Sequence, residues 1–119
     1  MLTQDIASDI TSILVAMNFT SLGASGPLPL DHIPANRSWV TADISPFATN
    51  LVTQVLTCTS SDGDIEDFVR FLLNDGVLPA SGANGCGNNK DGLCKVDVFV
   101  KAMKERIATV DFEYDCTAD

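Results

Sequence analysis

Apolar residues near the start of the chain recur at the spacing of a helix. They stand 4, 3, 1 and 3 residues apart, at Ile6, Ile10, Ile13, Leu14 and Met17. This spacing places them on one face of an α-helix, with polar residues turned away. The sequence therefore predicts an amphipathic helix over residues 6–17, with Asn18, and Gly23 beyond it, as the signals that end it.

The same periodicity returns in the last third of the chain. Its apolar positions are Val96, Phe99, Val100, Met103 and Ile107. Asp97 lies in the first turn and Lys104 and Arg106 lie toward the end, an order of charges that the helix dipole favours. We predict a second amphipathic helix here, followed by an acidic tail after Val110.

The middle of the chain alternates between its two sides, as strands do. Residues 39–58 are rich in Val, Thr, Ile and Phe and predict a strand with a break near Pro46. A second strand is predicted over residues 68–73, ended by the turn signal at residues 74–76. The two strands would form an antiparallel hairpin across an acidic loop. A hairpin alone is marginally stable, so we expect a third strand or a covering helix.

Two stretches predict loops. Residues 20–36 contain two glycines and three prolines, and residues 82–92 are rich in Gly and Asn. The predicted architecture is therefore α/β, with about two amphipathic helices packed on a small sheet beside a long Pro/Gly-rich loop. A length of 119 residues fits a single domain over residues 1–119.

Composition and charge narrow the possible functions. The chain is 45% hydrophobic and 19% charged, which suits a folded core. Its net charge of −9 would repel nucleic acid and anionic membranes, so neither is an expected partner. No apolar run approaches the roughly 20 residues that span a bilayer, and the first residues lack the pattern of a signal peptide.

The four cysteines favour disulfides over a metal site. No C-x-x-C pair is present and the single His is remote from the cysteines in sequence, so zinc binding is not expected. Cys58, Cys86, Cys94 and Cys116 allow three pairings. A bond between Cys86 and Cys94 would close a short loop and stabilise the fold by roughly 2 to 3 kcal/mol.

Two glycosylation acceptor triplets agree with an oxidising compartment. They begin at Asn18 and at Asn36, as Asn18-Phe19-Thr20 and Asn36-Arg37-Ser38. Together with the cysteines, they predict a secreted, extracellular glycoprotein.

No residue pattern predicts a catalytic or cofactor site. The acidic cluster Asp62, Asp64, Glu66 and Asp67 lacks the glycine and the glutamate of a calcium loop, so a solvated hairpin loop is the better interpretation. His32 has no nucleophile beside it in sequence, and the glycines of residues 82–92 do not have phosphate-loop spacing. We expect Trp39 to be a core residue rather than a recognition anchor, and we expect no metal and no cofactor.

Several stretches together resemble the C-terminal part of fungal histidine acid phosphatases, the group that includes phytases, in branch 2 of the histidine phosphatase superfamily. The similar stretches follow the family's order and cover most of the chain, at residues 10–17, 36–40, 45–48, 55–58, 69–79, 85–86, 91–94 and 99–100. The resemblance implies an α/β fold and hydrolysis of phosphomonoesters through a phosphohistidine.

The resemblance also shows what this chain lacks. The family's Arg-His-Gly-x-Arg-x-Pro segment, which supplies the nucleophile and the phosphate-binding arginines, is not in these 119 residues. The family's His-Asp pair supplies the proton donor just before a helix like that of residues 6–17. An ungapped match places Ile6 and Ala7 there, and a two-residue insertion places Gln4 and Asp5 there. Asp5 is thus the one catalytic candidate, as proton donor.

The resemblance has implications for the cysteines as well. It pairs Cys86 with Cys94, whereas the counterparts of Cys58 and Cys116 bond to cysteines that precede this stretch in the family. Cys58 and Cys116 would then bond to each other, stay free or bind another chain.

Three hypotheses follow. The first is a C-terminal segment of a secreted acid phosphatase, truncated and inactive as this isolated chain. The second is a stand-alone binding module that uses the surfaces of Trp39 and the Gly-rich loop. The third is association with a separate N-terminal portion that rebuilds the enzyme. A phosphomonoester substrate is expected only in a full-length parent.

Overall fold

The computed structural model describes residues 6–23 and 26–117. Along these residues, two helices precede four consecutive strands, and two helices follow them, with a short 3-10 turn at Thr20–Leu22. The elements are α1 (Ile6–Ala16), α2 (Thr41–Ile44), β1 (Leu51–Thr59), β2 (Ile65–Leu73), β3 (Gly76–Leu78), β4 (Cys94–Lys95), α3 (Val96–Ile107) and α4 (Phe112–Cys116). Helices accompany an antiparallel sheet of four strands, which confirms the α/β prediction.

α1 ends where the sequence predicts, and the backbone shows why. Asn18 adopts the left-handed conformation with φ 58°, which Asn tolerates better than most residues. Its N–H donates to the carbonyl of Val15 at 3.0 Å, and the N–H of Phe19 donates to the carbonyl of Leu14 at 3.1 Å. This is the Schellman pattern of a helix end, and both Leu14 and Phe19 are buried beside it.

The predicted hairpin is confirmed, and it is longer than the sequence indicates. β1 and β2 pair antiparallel from Leu51 opposite Leu73 to Thr59 opposite Ile65. The second strand begins at Ile65 rather than at residue 68, so the first three residues of β2 were wrongly assigned to the loop. This end of the hairpin is paired through polar residues, so the apolar alternation that predicts a strand is missing there. The hydroxyl of Thr57, for example, donates to Oδ1 of its cross-strand partner Asp67 at 2.7 Å.

β2 is the central strand, and it receives the additional partners that the hairpin requires. β3 pairs with Phe71–Leu73 of β2, and β4 pairs with Phe68 and Val69. β1 lies at the edge and pairs with β2 alone within the described residues. One long edge of the sheet is therefore open.

The segment before β1 is not a strand, which corrects the prediction for residues 39–50. It forms the single turn of α2, followed by an irregular stretch in which Ala48 has φ 61°. Asn74 holds this segment in place, because its Nδ2 donates to the carbonyls of Asp43 at 2.9 Å and Ile44 at 3.1 Å. Its Oδ1 accepts from Thr49 at 2.9 Å and from the N–H of Asn50 at 3.0 Å. A long-range contact thus overrides the local β propensity.

The core lies between the helices and one face of the sheet. Phe71 is 2% exposed, and its ring lies 5.2 Å from the rings of both Phe19 and Phe99. Trp39 is half-buried against this cluster, as a core role requires. The sheet residue Phe71 therefore joins the end of α1 to α3.

α3 spans Val96–Ile107, at the position predicted, and a fourth helix follows it in the predicted tail. The carboxylate of Asp111 caps α4 by accepting the N–H of Tyr114 at 3.1 Å. α4 was not predicted from the sequence, because an Asp that caps a helix cannot be told apart from the other acidic residues of the tail. The loop predicted over residues 20–36 begins with the 3-10 turn Thr20–Leu22, which the sequence analysis did not predict, and its residues 26–36 contain no helix or strand. None of the helices in residues 6–23 and 26–117 has both the length and the apolar character that spanning a bilayer requires.

Candidate functional site

A disulfide fixes the Gly-rich loop to the sheet. Cys86 and Cys94 are bonded, with their Cα atoms 5.2 Å apart, and both are buried. Cys94 belongs to β4 and pairs with Val69 of β2, so the bond connects the loop to the central strand. α3 starts two residues later, which makes the disulfide an anchor for both the loop and the helix.

The loop closed by this bond has an ordered interior. Asn89 donates from Nδ2 to the carbonyl of Leu93 at 2.8 Å, and its Oδ1 accepts the N–H of Leu93 at 3.0 Å. Gly92 has φ 66°, and a Cβ there would lie 2.6 Å from a methyl carbon of Val77. Glycine is therefore required at this position both for its backbone conformation and for the close contact. Gly92 thus packs the end of the loop against β3, whereas residues 87–91 are exposed.

The other two cysteines are free and exposed in the structure. Cys58 lies near the end of β1, and Cys116 is the last residue of α4. The structure therefore does not join them to each other. Each presents a thiol to solvent.

The two glycosylation triplets lie in different environments. The Nδ2 atom of Asn18, to which a glycan would be attached, donates to the carbonyl of Gly82 at 2.9 Å. Thr20 of the same triplet contacts Ser81 through their hydroxyl oxygens at 3.1 Å. A Cβ at Gly82 would lie 1.7 Å from the backbone oxygen of Asn18, so these two segments are in close contact. The side chain of Asn18 therefore connects the end of α1 to the segment that contains Gly82.

Asn36 is exposed, in the loop of residues 26–38. The hydroxyl of Ser38 donates to the carbonyls of Leu22 and Gly23, each at 3.1 Å, which anchors the end of this loop. The Asn36 side chain itself is free to project into solvent.

The catalytic candidate Asp5 lies outside the described residues. His32 is exposed, and its Nδ1 lies 2.8 Å from Oδ1 of its neighbour Asp31. Within residues 6–23 and 26–117, no three side chains of His, Cys, Asp or Glu are grouped so that they could hold a metal ion.

The acidic cluster of the hairpin has structural partners at its strand end. Glu66 forms an ion pair and a hydrogen bond with Lys95 of β4, and Asp67 accepts from Thr57. The hydrogen bond to Glu66 and, to a smaller extent, the attraction of the Glu66 charge raise the pKa of Lys95 above the usual lysine value of 10.5. These residues therefore support strand pairing.

Two basic residues make contacts that the sequence analysis did not predict. Arg106 of α3 lines an open groove of about 470 Å³ together with Val15, Asn18 and Trp39. Arg70 of β2 lies half-buried on the sheet and donates from Nε to Oε1 of Gln54 at 2.6 Å. The only sign of Arg70 in the sequence was that it is the single basic residue among the apolar residues of the predicted strand.

Comparison with known proteins relates the chain to a group of fungal hydrolases. It is 33% identical over 89 residues to a phytase of Candida albicans, covering 75% of this chain and 18% of that protein. It is 33% identical over 100 residues to an acid phosphatase of Komagataella pastoris, covering 82% of this chain and 20% of that protein. With phytase A of Penicillium oxalicum, the identity is 35% over 91 residues, covering 71% of this chain and 18% of that protein.

The chain thus spans about a fifth of the length of the curated relatives that it matches. No protein-family model matches it. No solved structure matches it significantly.

Proposed function

Since the chain is a homologue of the fungal acid phosphatases and phytases, we propose that it is the C-terminal portion of a secreted phosphomonoester hydrolase. The observation that carries this proposal is similarity over 71–82% of the chain to three such proteins, a phytase, an acid phosphatase and phytase A. The histidine acid phosphatase motifs that the sequence resembles support the same reaction class, hydrolysis through a phosphohistidine.

We propose further that the isolated 119-residue chain is inactive. Transfer of a phosphoryl group to a histidine needs a nucleophilic imidazole, cations on the phosphoryl oxygens and a proton donor for the leaving group. The single imidazole, that of His32, is on an exposed loop beside an aspartate, and no arginine is hydrogen-bonded to it among the described residues. The role of this portion is then to supply part of the fold and, through Asp5, the proton donor.

The direct test is turnover of 4-nitrophenyl phosphate at acidic pH. We expect no hydrolysis by the isolated chain. We expect hydrolysis by a chimera in which this chain replaces the matching segment of the Candida albicans phytase. Steady-state activity of the isolated chain would contradict its inactivity, and a chimera that folds but lacks turnover would contradict the phosphatase assignment.

The role of Asp5 has its own test in that chimera. Replacing a general acid lowers kcat by about 10²-fold or more, so Asp5→Asn should do so. Asp9→Asn is the matched control, because it makes the same change at an exposed carboxyl group in the first turn of α1. Equal activity of the two variants would reject Asp5 as the donor.

A stand-alone binding module is the second candidate. The observation that favours it is the groove beside Trp39, together with a core that contains Phe71 and the Cys86–Cys94 disulfide. A chain that functions alone must be stable alone. Cooperative thermal unfolding of the isolated monomer is therefore required by this candidate, although a phosphatase portion that folds by itself would show it too. Absence of cooperative unfolding would contradict the stand-alone module.

A further inference from the structure

The sheet has two faces, and the core covers only one of them. Val69 and Phe71 point into the core, and cross-strand partners in an antiparallel pair share a face. The alternate residues therefore form the other face. Its apolar members, which we call the open face, are Val52, Leu56, Phe68, Leu72 and Val77. None of them belongs to the core cluster or packs against it within the described residues.

The open face remains accessible to solvent. Val52 is 40% exposed and Val77 is 41% exposed. The adjoining edge of β1 has no strand beside it in the described part of the chain, and Val55 of that strand is 66% exposed on the other face. One face of an antiparallel sheet can face water, but such a face normally carries polar side chains, whereas this one carries five apolar residues. A long open edge is in addition a site for further strand pairing.

A charged side chain lies in the middle of this apolar surface. Arg70 stands between Phe68 and Leu72 on β2, and its hydrogen bond to Gln54 uses only Nε. Arg70 forms no ion pair with any described residue, whereas Lys95 at the end of the face is already paired with Glu66. A surface that covered Arg70 would have to supply an anion, because an unpaired buried charge is strongly destabilising.

The chain is also less compact than a complete domain. Its radius of gyration is 16.9 Å, whereas about 13.5 Å is typical of a domain of this length. The relatives continue for about four fifths of their length outside the matched segment. A second copy of the chain is a poor occupant, since each copy carries a net charge of −9.

We infer that the remaining part of the phosphatase polypeptide covers the open face, with an apolar surface that places a carboxylate against Arg70. This inference rests on the proposed function, because the occupant is the portion that the relatives possess. It identifies the interface through which an N-terminal portion, linked or separate, would associate with this chain.

The test is co-purification. The affinity-tagged 119-residue chain is co-expressed with the rest of the Candida albicans phytase, that is, the phytase without its matching segment. We expect the two to purify together. Val52→Asp places a charge on the open face and should reduce the recovered phytase portion by roughly tenfold or more. Val110→Asp, an identical change at a 63% exposed site after α3, should leave recovery unchanged.

Arg70 supplies a second and independent pair of variants. Arg70→Glu would oppose a carboxylate and should abolish co-purification, whereas Arg70→Lys keeps the positive charge and should retain most of it. Circular dichroism of each isolated variant establishes that the chain is folded before recovery is compared. Equal recovery for Arg70→Glu and Arg70→Lys would overturn the proposed carboxylate contact.

The other outcomes also decide the matter. Equal recovery for Val52→Asp and Val110→Asp would overturn the open face as the interface. A wild-type chain that retains no phytase portion would overturn the proposed occupant; if it dimerises and Val52→Asp makes it monomeric, a second copy covers the face. Turnover of the purified pair is measured separately, so a stable pair without activity would count against the proposed function and not against this interface.

Discussion

Arg106 of α3 donates from Nε to the backbone carbonyl of Ala16 at the end of α1, at 2.6 Å. Its Nη2 reaches the carbonyl of Val15 at 3.2 Å. The last carbonyls of a helix lack intrahelical partners and carry the negative end of the dipole, so a guanidinium satisfies both needs. One side chain thereby ties together two helices that are 90 residues apart in sequence.

We expect Arg106→Ala to lower the free energy of unfolding by about 1 kcal/mol, the usual net value of a hydrogen bond that is lost near the surface. Lys104→Ala, two residues earlier on the same helix, removes an equal charge without such a contact and should have little effect. Urea denaturation monitored by circular dichroism measures both. A loss of the same size in the two variants would show that net charge, rather than the helix cap, is responsible.

Phe71 and Phe47 form a matched pair for testing the core. Phe71 is 2% exposed and contacts two other rings, whereas Phe47 is fully exposed beside α2. Phe71→Ala should cost about 3 to 5 kcal/mol through lost burial and a cavity. Phe47→Ala should change the unfolding free energy by less than about 0.5 kcal/mol, as surface substitutions usually do. Similar losses from both would mean that the described core is misplaced.

The sequence predicted those parts of the fold that depend on local periodicity. The Asn18 helix end, the start of α3 at Val96 and the hairpin all follow from apolar spacing or turn residues close in sequence. The segment at residues 39–50 was wrongly predicted as a strand because its conformation depends on Asn74, more than 20 residues away. The open face was missed for a related reason, since apolar alternation does not say whether a surface has a partner.

In the candidate site, too, some features could be predicted from the sequence and others depend on contacts between distant residues. The pairing of Cys86 with Cys94 was expected from the family resemblance, and the structure contains it. Arg106 could not be identified from the sequence, because nothing near it indicates a contact with the end of α1. The proton-donor role of Asp5 remains a prediction, for the chemistry that it would serve depends on groups absent from these 119 residues.

The Cys86–Cys94 disulfide should contribute more to stability than the two free cysteines, Cys58 and Cys116. We expect Cys86→Ser combined with Cys94→Ser to lower the unfolding free energy by about 2 to 3 kcal/mol, the chain-entropy value for a short loop. Cys58→Ser combined with Cys116→Ser should be nearly neutral, because both thiols are exposed. Thiol titration of the native wild-type chain should find two reactive groups. Fewer than two would indicate that Cys58 and Cys116 are bonded.

The two glycosylation triplets should behave differently when the chain is expressed behind a signal peptide in yeast. We expect a glycan on Asn36, which is exposed. We expect none on Asn18, whose Nδ2 donates a hydrogen bond to the carbonyl of Gly82. Asn36→Gln should remove the shift in mass that endoglycosidase produces, and Asn18→Gln should leave it intact. Glycopeptides that carry sugar at Asn18 in the folded, secreted product would contradict this expectation.

The ion pair between Lys95 and Glu66 should stabilise the fold up to strongly alkaline pH. The carboxylate raises the pKa of Lys95 above 10.5, so the ammonium form is favoured in the folded state. A raised folded pKa means that this stabilisation is complete below the unfolded value and disappears as pH rises through the folded value. The stability difference between wild type and Lys95→Met should therefore be constant from about pH 7 to 9 and shrink above about pH 10.5. Lys101→Met, on the exposed side of α3, serves as the control, with the free thiols of both proteins alkylated to prevent exchange at high pH. A difference that stays constant through pH 12 would mean that packing of the Lys95 stem, and not its charge, stabilises the sheet.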